Sequence, residues 1–510
     1  MKLSSALVLS AFGMALSSVS VWALVPAGAP RSPAPTAPGP TSPGKPDPGA
    51  SVLADLVGLD ATPSEFTAGS TLMVSGRLGH PTLAAGRETE TYLFLDVTAQ
   101  TEAGSGNATP VNLSIVLDRS GSMQGQRMEN AIAAASGMIR RLREGDTVSV
   151  VGYNTSTQVF LPPTRIDAGN REAALGSLRG IDAQGNTCVS CGIETAMDLL
   201  ARAPGSATGS VQRILLLSDG EANTGVRDVD GFRRLGDRAR GMETAVSSIG
   251  VDVDYNERVL FALSQSSNGR HYFVDDPSGL PRIFDDELQS LVTTVASNAS
   301  VEIDLSPGVT VQQVFDRSFE QRGDRVTVPF GAFSAGDEKT VLLRLRIPAG
   351  EAGRRPIAEV HMRYQDLALG KPGDCEGELV AVLSKNAADI SPLDPLVEAR
   401  LARSETAAAL ALANEQFARG DVVAARGTID SNRGRIRNRR TDASSRAPSP
   451  FKAKLDADFE QQINAFDEAD AGFGNAAANA PAAAPAQAAE SRDGKRQVRS
   501  NAEKLDDLGL

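Results

Sequence analysis

Through the middle of the chain, short apolar-rich runs alternate with longer segments whose apolar residues recur every three or four positions. Residues 111–117 and 214–217 are runs of the first kind, the pattern of strands buried on both faces of a parallel sheet. Between them Met128, Ile132, Ala135, Ile139 and Leu142 share one helical face, which leaves Arg140, Arg141 and Arg143 to solvent. Further strands are predicted at 147–153, 158–161, 245–251 and 271–274. Strands and helices in alternation imply an α/β unit over residues 109–298, a doubly wound and mostly parallel sheet.

On both flanks the period falls to two. Thr71-Leu72-Met73-Val74-Ser75 and Thr91-Tyr92-Leu93-Phe94-Leu95-Asp96-Val97 alternate within the N-terminal strand segment, 51–108. Residues 301–305, 309–311, 325–328, 340–347 and 358–364 do so within 299–390, and together they predict a β-sandwich. The few N-terminal strands could not bury a face alone, so strands from both flanks are expected to join in one sandwich with the α/β unit inserted. Over 391–440 an Ala-, Leu-, Glu- and Arg-rich stretch is divided by Gly420 and Asp421, a C-cap and an N-cap that predict a helical hairpin packed on the sandwich. From 441 to 510 the chain turns polar, with 475–489 nearly all Ala, Asn, Pro and Gln, and is expected to be a mostly disordered, low-complexity tail.

The first 23 residues carry Lys2, an apolar stretch from about residue 6 to 16, and Val21-Trp22-Ala23. This is a signal-peptide pattern, followed by a Pro-rich linker over 24–50. Export is therefore expected, to the periplasm, the extracellular space or the cell surface, with no membrane-spanning segment in the mature chain. The 510 residues, 41% hydrophobic, suffice for about three domains. A net charge of −12 argues against a nucleic-acid partner. His80, His271 and His361 show no metal or triad spacing, and neither G-x-S-x-G nor H-E-x-x-H occurs. Arg433, Arg435, Arg437, Arg439 and Arg440 read as a solvated helical face.

The apolar run at 111–117 ends in Asp118-Arg119-Ser120-Gly121-Ser122, and that at 214–217 in Ser218-Asp219-Gly220; Thr187 sits in a loop between helical segments. Carboxylates and hydroxyls beyond the carboxyl ends of parallel strands suit a hard divalent cation. The set Asp118, Ser120, Ser122, Thr187 and Asp219 resembles the metal-ion-dependent adhesion site of von Willebrand factor type A domains. Residues 254–257, 271–276 and 283–288 also look like the later part of bacterial A-domain proteins related to the calcium-activated chloride channel and inter-alpha-trypsin-inhibitor groups.

The resemblance implies direct metal contact for the two serines. It implies direct or water-mediated contact for Thr187 and Asp219, according to conformational state. With two charged ligands a coordination position is left for water or a partner's carboxylate. The expected cation is Mg²⁺, with Mn²⁺ or Ca²⁺ as alternatives. The expected function is non-enzymatic: cation-dependent adhesion or interaction with a protein presenting an acidic side chain. A departure from the usual pattern is Cys188-Val189-Ser190-Cys191 beside Thr187. In an exported chain a disulfide is the default, and the rival reading is a reactive thiol pair in a redox protein or sensor. A third reading is an envelope protein whose metal only stabilises the fold. Cys375 is left odd.

Overall fold

The computed structural model describes residues 64–101, 109–203, 210–480 and 487–507. The expected signal peptide and Pro-rich linker lie outside the described residues. Strands β1 (Glu65–Gly69), β2 (Leu72–Leu78), β3 (Thr82–Ala84) and β4 (Thr89–Ala99) come first.

The α/β unit follows. Its strands are β5 (Val111–Asp118), β6 (Thr147–Tyr153), β7 (Thr157–Arg165), β8 (Val211–Ser218), β9 (Thr244–Val251) and β10 (His271–Val274). They lie in the order β10-β9-β8-β5-β6-β7, parallel throughout except for the β6–β7 pair. The helices are α1 (Gln126–Arg141), α2 (Arg171–Ser177), α3 (Val189–Ala201), α4 (Val229–Gly241), α5 (Glu257–Ser266) and α6 (Leu280–Val292). Alternate residues of β5 serve two cores: Leu113, Ile115 and Leu117 pack with α1 and α6, while Val116 packs with α3, α4 and α5. Met128, Ala135 and Ile139 of the predicted stripe are buried, and Ile132 is partly so.

His271 illustrates the dryness of this unit. Its Nδ1 is 2.8 Å from Ser248 Oγ and its Nε2 3.2 Å from Tyr255 Oη. Burial, reinforced by the Arg499 charge, pushes its pKa down to about 3. The unfolded imidazole takes up a proton near pH 6.5, whereas the folded one resists until about 3. The stability it supports is fully present above pH 6.5 and falls by up to about 1.4 kcal/mol per pH unit as acid is added across that window. His271→Gln is expected to flatten the acid limb of Tm against pH in scanning calorimetry; an unchanged slope overturns the assignment.

The sandwich takes strands from both sides of the insertion. After the α/β unit come β11 (Thr294–Leu305), β12 (Thr310–Phe315), β13 (Glu320–Arg322), β14 (Arg325–Ser334), β15 (Glu338–Ile347), β16 (Gly353–Asp366) and β17 (Lys371–Ser384). One sheet runs β1-β2-β4-β15-β12 and the other β13-β14-β11-β16-β17-β3. β4 and β15 pair antiparallel from Thr89↔Ile347 to Thr98↔Glu338. Leu93, Leu95 and Val97 share one core with Val301, Ile303, Val326 and Phe330.

From Pro395 onward the described residues are mostly helical: α7 (Pro395–Ala418), α8 (Val422–Arg446), α9 (Ser449–Asn479), α10 (Gln487–Glu490) and α11 (Arg492–Asp507). Asp421 caps α8 by accepting from the Ala424 N–H at 2.9 Å, and Gly420 turns the chain at φ +85°. α7 lies on the sandwich, with Val397 and Leu401 against Phe94, Phe315 and Leu342.

Two expectations are corrected here. The segment 441–510, expected to be mostly disordered, carries α9, α10 and α11, and the expected hairpin is the first part of a larger bundle. Leu455, Phe459, Ile463, Phe466, Ala469, Phe473 and Ala476 form a buried stripe at three- and four-residue steps. Phe473 stacks on Phe417 of α7 with centroids 4.3 Å apart. The arginines of α8, expected to face solvent, are largely taken up by carboxylates of the bundle. Arg433 meets Asp467 at 2.6 Å, Arg437 meets Asp467 at 3.7 Å, Arg440 meets Asp456 at 3.6 Å and Arg439 meets Glu405 at 2.8 Å. Arg435 and Arg437 are the exposed members of that run, and Arg435 bonds to Asn432 rather than to a carboxylate.

Candidate metal centre

Because β5 and β8 are adjacent and parallel, the carboxylates that end them come to the same edge of the sheet. Asp118 and Asp219 are both fully buried. The Ser120 N–H donates to Asp118 Oδ1 at 2.9 Å, turning the chain so that the two serines stand together. Ser120 Oγ is 3.0 Å from Ser122 Oγ, and Ser122 Oγ donates to Asp219 Oδ1 at 2.7 Å. Thr187 reaches the same place: a Cβ on Gly220 would lie 3.7 Å from Ser122 Oγ and 3.8 Å from Thr187 Oγ1. All five residues singled out in the sequence thus converge.

The loops are tied to each other. The Gly121 N–H donates to the Gly185 carbonyl at 3.1 Å. The Thr187 N–H donates to Asn223 Oδ1 at 2.9 Å, and the Thr187 carbonyl accepts from the Asn223 and Thr224 N–H groups. Cys188 and Cys191 are joined as a disulfide across the start of α3, and the Ser190 hydroxyl between them accepts from the Val226 N–H at 3.1 Å. Cys375 is a free thiol on β17, half-buried, its pKa pushed up to about 11 chiefly by burial.

The electrostatics leave negative charge without solvent. Burial pushes the Asp118 pKa up to about 6, aided by the Asp219 charge and opposed by the Ser120 hydrogen bonds. Its Oδ2 accepts from Tyr153 Oη at 3.1 Å and from Ser218 Oγ at 2.9 Å. Burial also raises the pKa of Asp219, against the pull of Ser122 and Arg127. Arg127 Nη1 stands 2.9 Å from Asp219 Oδ2.

The donor set fits a small divalent cation. In an octahedron with metal–oxygen distances near 2.0–2.1 Å, neighbouring oxygens stand about 2.9 Å apart. The contacts among Ser120, Ser122 and Asp219, at 3.0 and 2.7 Å, are of that length. Among the described residues no group of three or more His, Cys, Asp or Glu side chains converges, so the hydroxyls are indispensable to any such site.

Sequence reasoning missed Tyr153, Ser218, Asn223, Arg127 and Asp252. For Asp252 a signal existed: β5, β8, β9 and β10 are each followed at once or ended by an aspartate, Asp118, Asp219, Asp252 and Asp275. Arg127, on the first turn of α1, carries no such mark.

A family model for the von Willebrand factor type A domain matches residues 112–286. The uncharacterized protein sll0103 of Synechocystis sp. is 29% identical over 272 residues, covering 51% of this chain and 63% of that protein. Inter-alpha-trypsin inhibitor heavy chain H1 of Sus scrofa is 24% identical over 233 residues, covering 44% of this chain and 25% of that protein. The matches span less than two thirds of the length of either relative. Among solved structures, a von Willebrand factor type A protein from Catenulispora acidiphila superposes with a TM-score of 0.63 over 84% of this chain and 99% of that one, at 18% identity, a likeness of fold. The chain therefore carries a von Willebrand factor type A domain, spanning residues 112–286.

Proposed function

We propose that this chain is an exported binding protein that holds a divalent cation on Asp118, Ser120, Ser122, Thr187 and Asp219 and through it engages the carboxylate of a protein partner. The observation that carries the reading is the grouping of two buried carboxylates with two linked serines at the carboxyl edge of a parallel sheet, Asp118 on the Ser120 N–H and Asp219 on the Ser122 hydroxyl. A cation there would relieve charge that burial penalises, and two charged ligands leave it able to attract a third carboxylate. Mg²⁺ suits the oxygen spacing, with Mn²⁺ and Ca²⁺ as competitors.

Binding rather than catalysis is the role. Export is supported by the N-terminal pattern and by the Cys188–Cys191 bond, which persists best in an oxidising compartment. Cys188 has no exposed surface, which weighs against thiol exchange through it.

Calorimetric titration with Mg²⁺, Mn²⁺ and Ca²⁺ tests the first half, with saturable binding of one ion per chain expected; no heat from any of the three overturns it. For the second half, partner capture should disappear in chelator and return with Mg²⁺. Capture that survives chelation rules out a cation-bridged contact.

A further inference from the structure

Helix α11 bears Arg492, Lys495, Arg496 and Arg499, spaced so that all four share one face. That face lies on the type A domain. Arg492 meets Asp252 at 3.1 Å and Asp275 at 3.2 Å, Arg496 meets Asp275 at 2.8 Å, Lys495 meets Asp254 at 2.8 Å, and Arg499 meets Glu257 at 3.2 Å. Arg499 also donates to the Tyr255 carbonyl at 2.7 Å. The acids follow β9 and β10 and so occupy the same edge of the sheet as Asp118 and Asp219. On its other side α11 is anchored to the helical bundle: Val498 and Ala502 are buried, and Asn501 donates to Asn414 Oδ1 of α7 at 2.8 Å.

One of these acids reaches the candidate cation site. Asp252, side chain 9% exposed, takes the guanidinium of Arg127 as well as that of Arg492, and Arg127 in turn stands on Asp219. An unbroken series of ion pairs, Arg492 to Asp252 to Arg127 to Asp219, therefore joins a helix outside the type A domain to a site residue within it.

We infer that α11 is a strap that holds the cation site in a low-affinity state, and that its release raises the affinity. The inference rests on the metal-site reading given above. Two effects of release have the same sign. Four positive charges leave the neighbourhood of a site that must accept another. Asp252, deprived of Arg492, also competes more strongly for Arg127 and draws it from Asp219, which frees that carboxylate for metal. By linkage, a bound cation loosens the strap by the same factor.

The test uses the full chain and two routes of release. R492Q/R496Q removes charges, whereas V498N leaves the net charge unchanged but breaks the apolar anchor. Mg²⁺ affinity by calorimetry should rise roughly five-fold or more in both, the scale of an ordinary coupling, and R492K/R496K should stay near the parent. Hydrogen exchange followed by mass spectrometry should show residues 492–507 opening in both release variants, and in the parent on adding Mg²⁺. Unchanged affinity with the strap open, or affinity raised by charge removal alone with V498N open and unaltered, overturns the strap while leaving the metal site standing. A strap that stays closed in both variants overturns the assignment of its anchors. No Mg²⁺ binding by parent or variants overturns the site and the strap together.

Discussion

Asp118→Asn is expected to abolish saturable cation binding and to leave the cation-free protein at least as stable as the parent. Binding should fall roughly a hundredfold or more, because residues that merely support a metal ligand already cost about 10–100-fold and Asp118 supplies half of the site's carboxylate charge. Stability should move the other way. The folded pKa of Asp118 is raised to about 6 by burial, so its ionised form is penalised above that pH, and the penalty fades as pH falls towards the ordinary carboxylate value. At neutral pH the relief on removing the charge is on the order of 1–3 kcal/mol. The amide oxygen that this substitution introduces would still accept from the Ser120 N–H, and the Tyr153 and Ser218 hydroxyls can turn to meet an amide. Paired calorimetric titration and thermal melts decide the matter. Cation affinity within about tenfold of the parent would remove Asp118 from the ligand set, and a large loss of Tm without cation would make it a structural residue.

The second large effect concerns the C-terminal bundle. Phe473→Ala should destabilise it by about 3–5 kcal/mol, the usual range for emptying a buried aromatic site. Phe473 is fully buried and stacked on Phe417, so truncation opens a void between α7 and α9 that rigid helices cannot close. Equilibrium urea unfolding measures it. A change below about 0.5 kcal/mol is what an exposed or unstructured position gives, and would place Phe473 outside any core.

Much of the architecture was legible because it is written in periodicity. The strands at 111–117 and 214–217 are continuous apolar runs, the stripe from Met128 to Leu142 is helical, and the flanking strands alternate. Their ends put Asp118, Ser120, Ser122, Thr187 and Asp219 in the right order to meet. What escaped was of two kinds. The bundle's stripe, from Leu455 to Ala476, lies in a segment whose average composition is polar and alanine-rich, and an average hides a single buried face. Arg127 and Arg492 are ordinary surface types in sequence, and the strand-end position of Asp252 does not name its partners. Only the fold brings together α1, the end of β9 and α11, whose partners lie far apart along the chain.

The nesting of one domain inside another also dictates an order of assembly. β2 and β4 pair with each other and end at Leu78 and Ala99, yet β15, the neighbour of β4 on its other edge, begins at Glu338. As the chain emerges in sequence, the whole α/β unit through Val292 is complete before that partner exists. The sheet of that unit is built from its own strands alone, while the first strands carry Leu93, Leu95 and Val97 with no second sheet to cover them. A half-made chain therefore exposes what neither end state does: an ordered but open sheet edge that waits for its far end, the kind of edge that invites pairing with another copy.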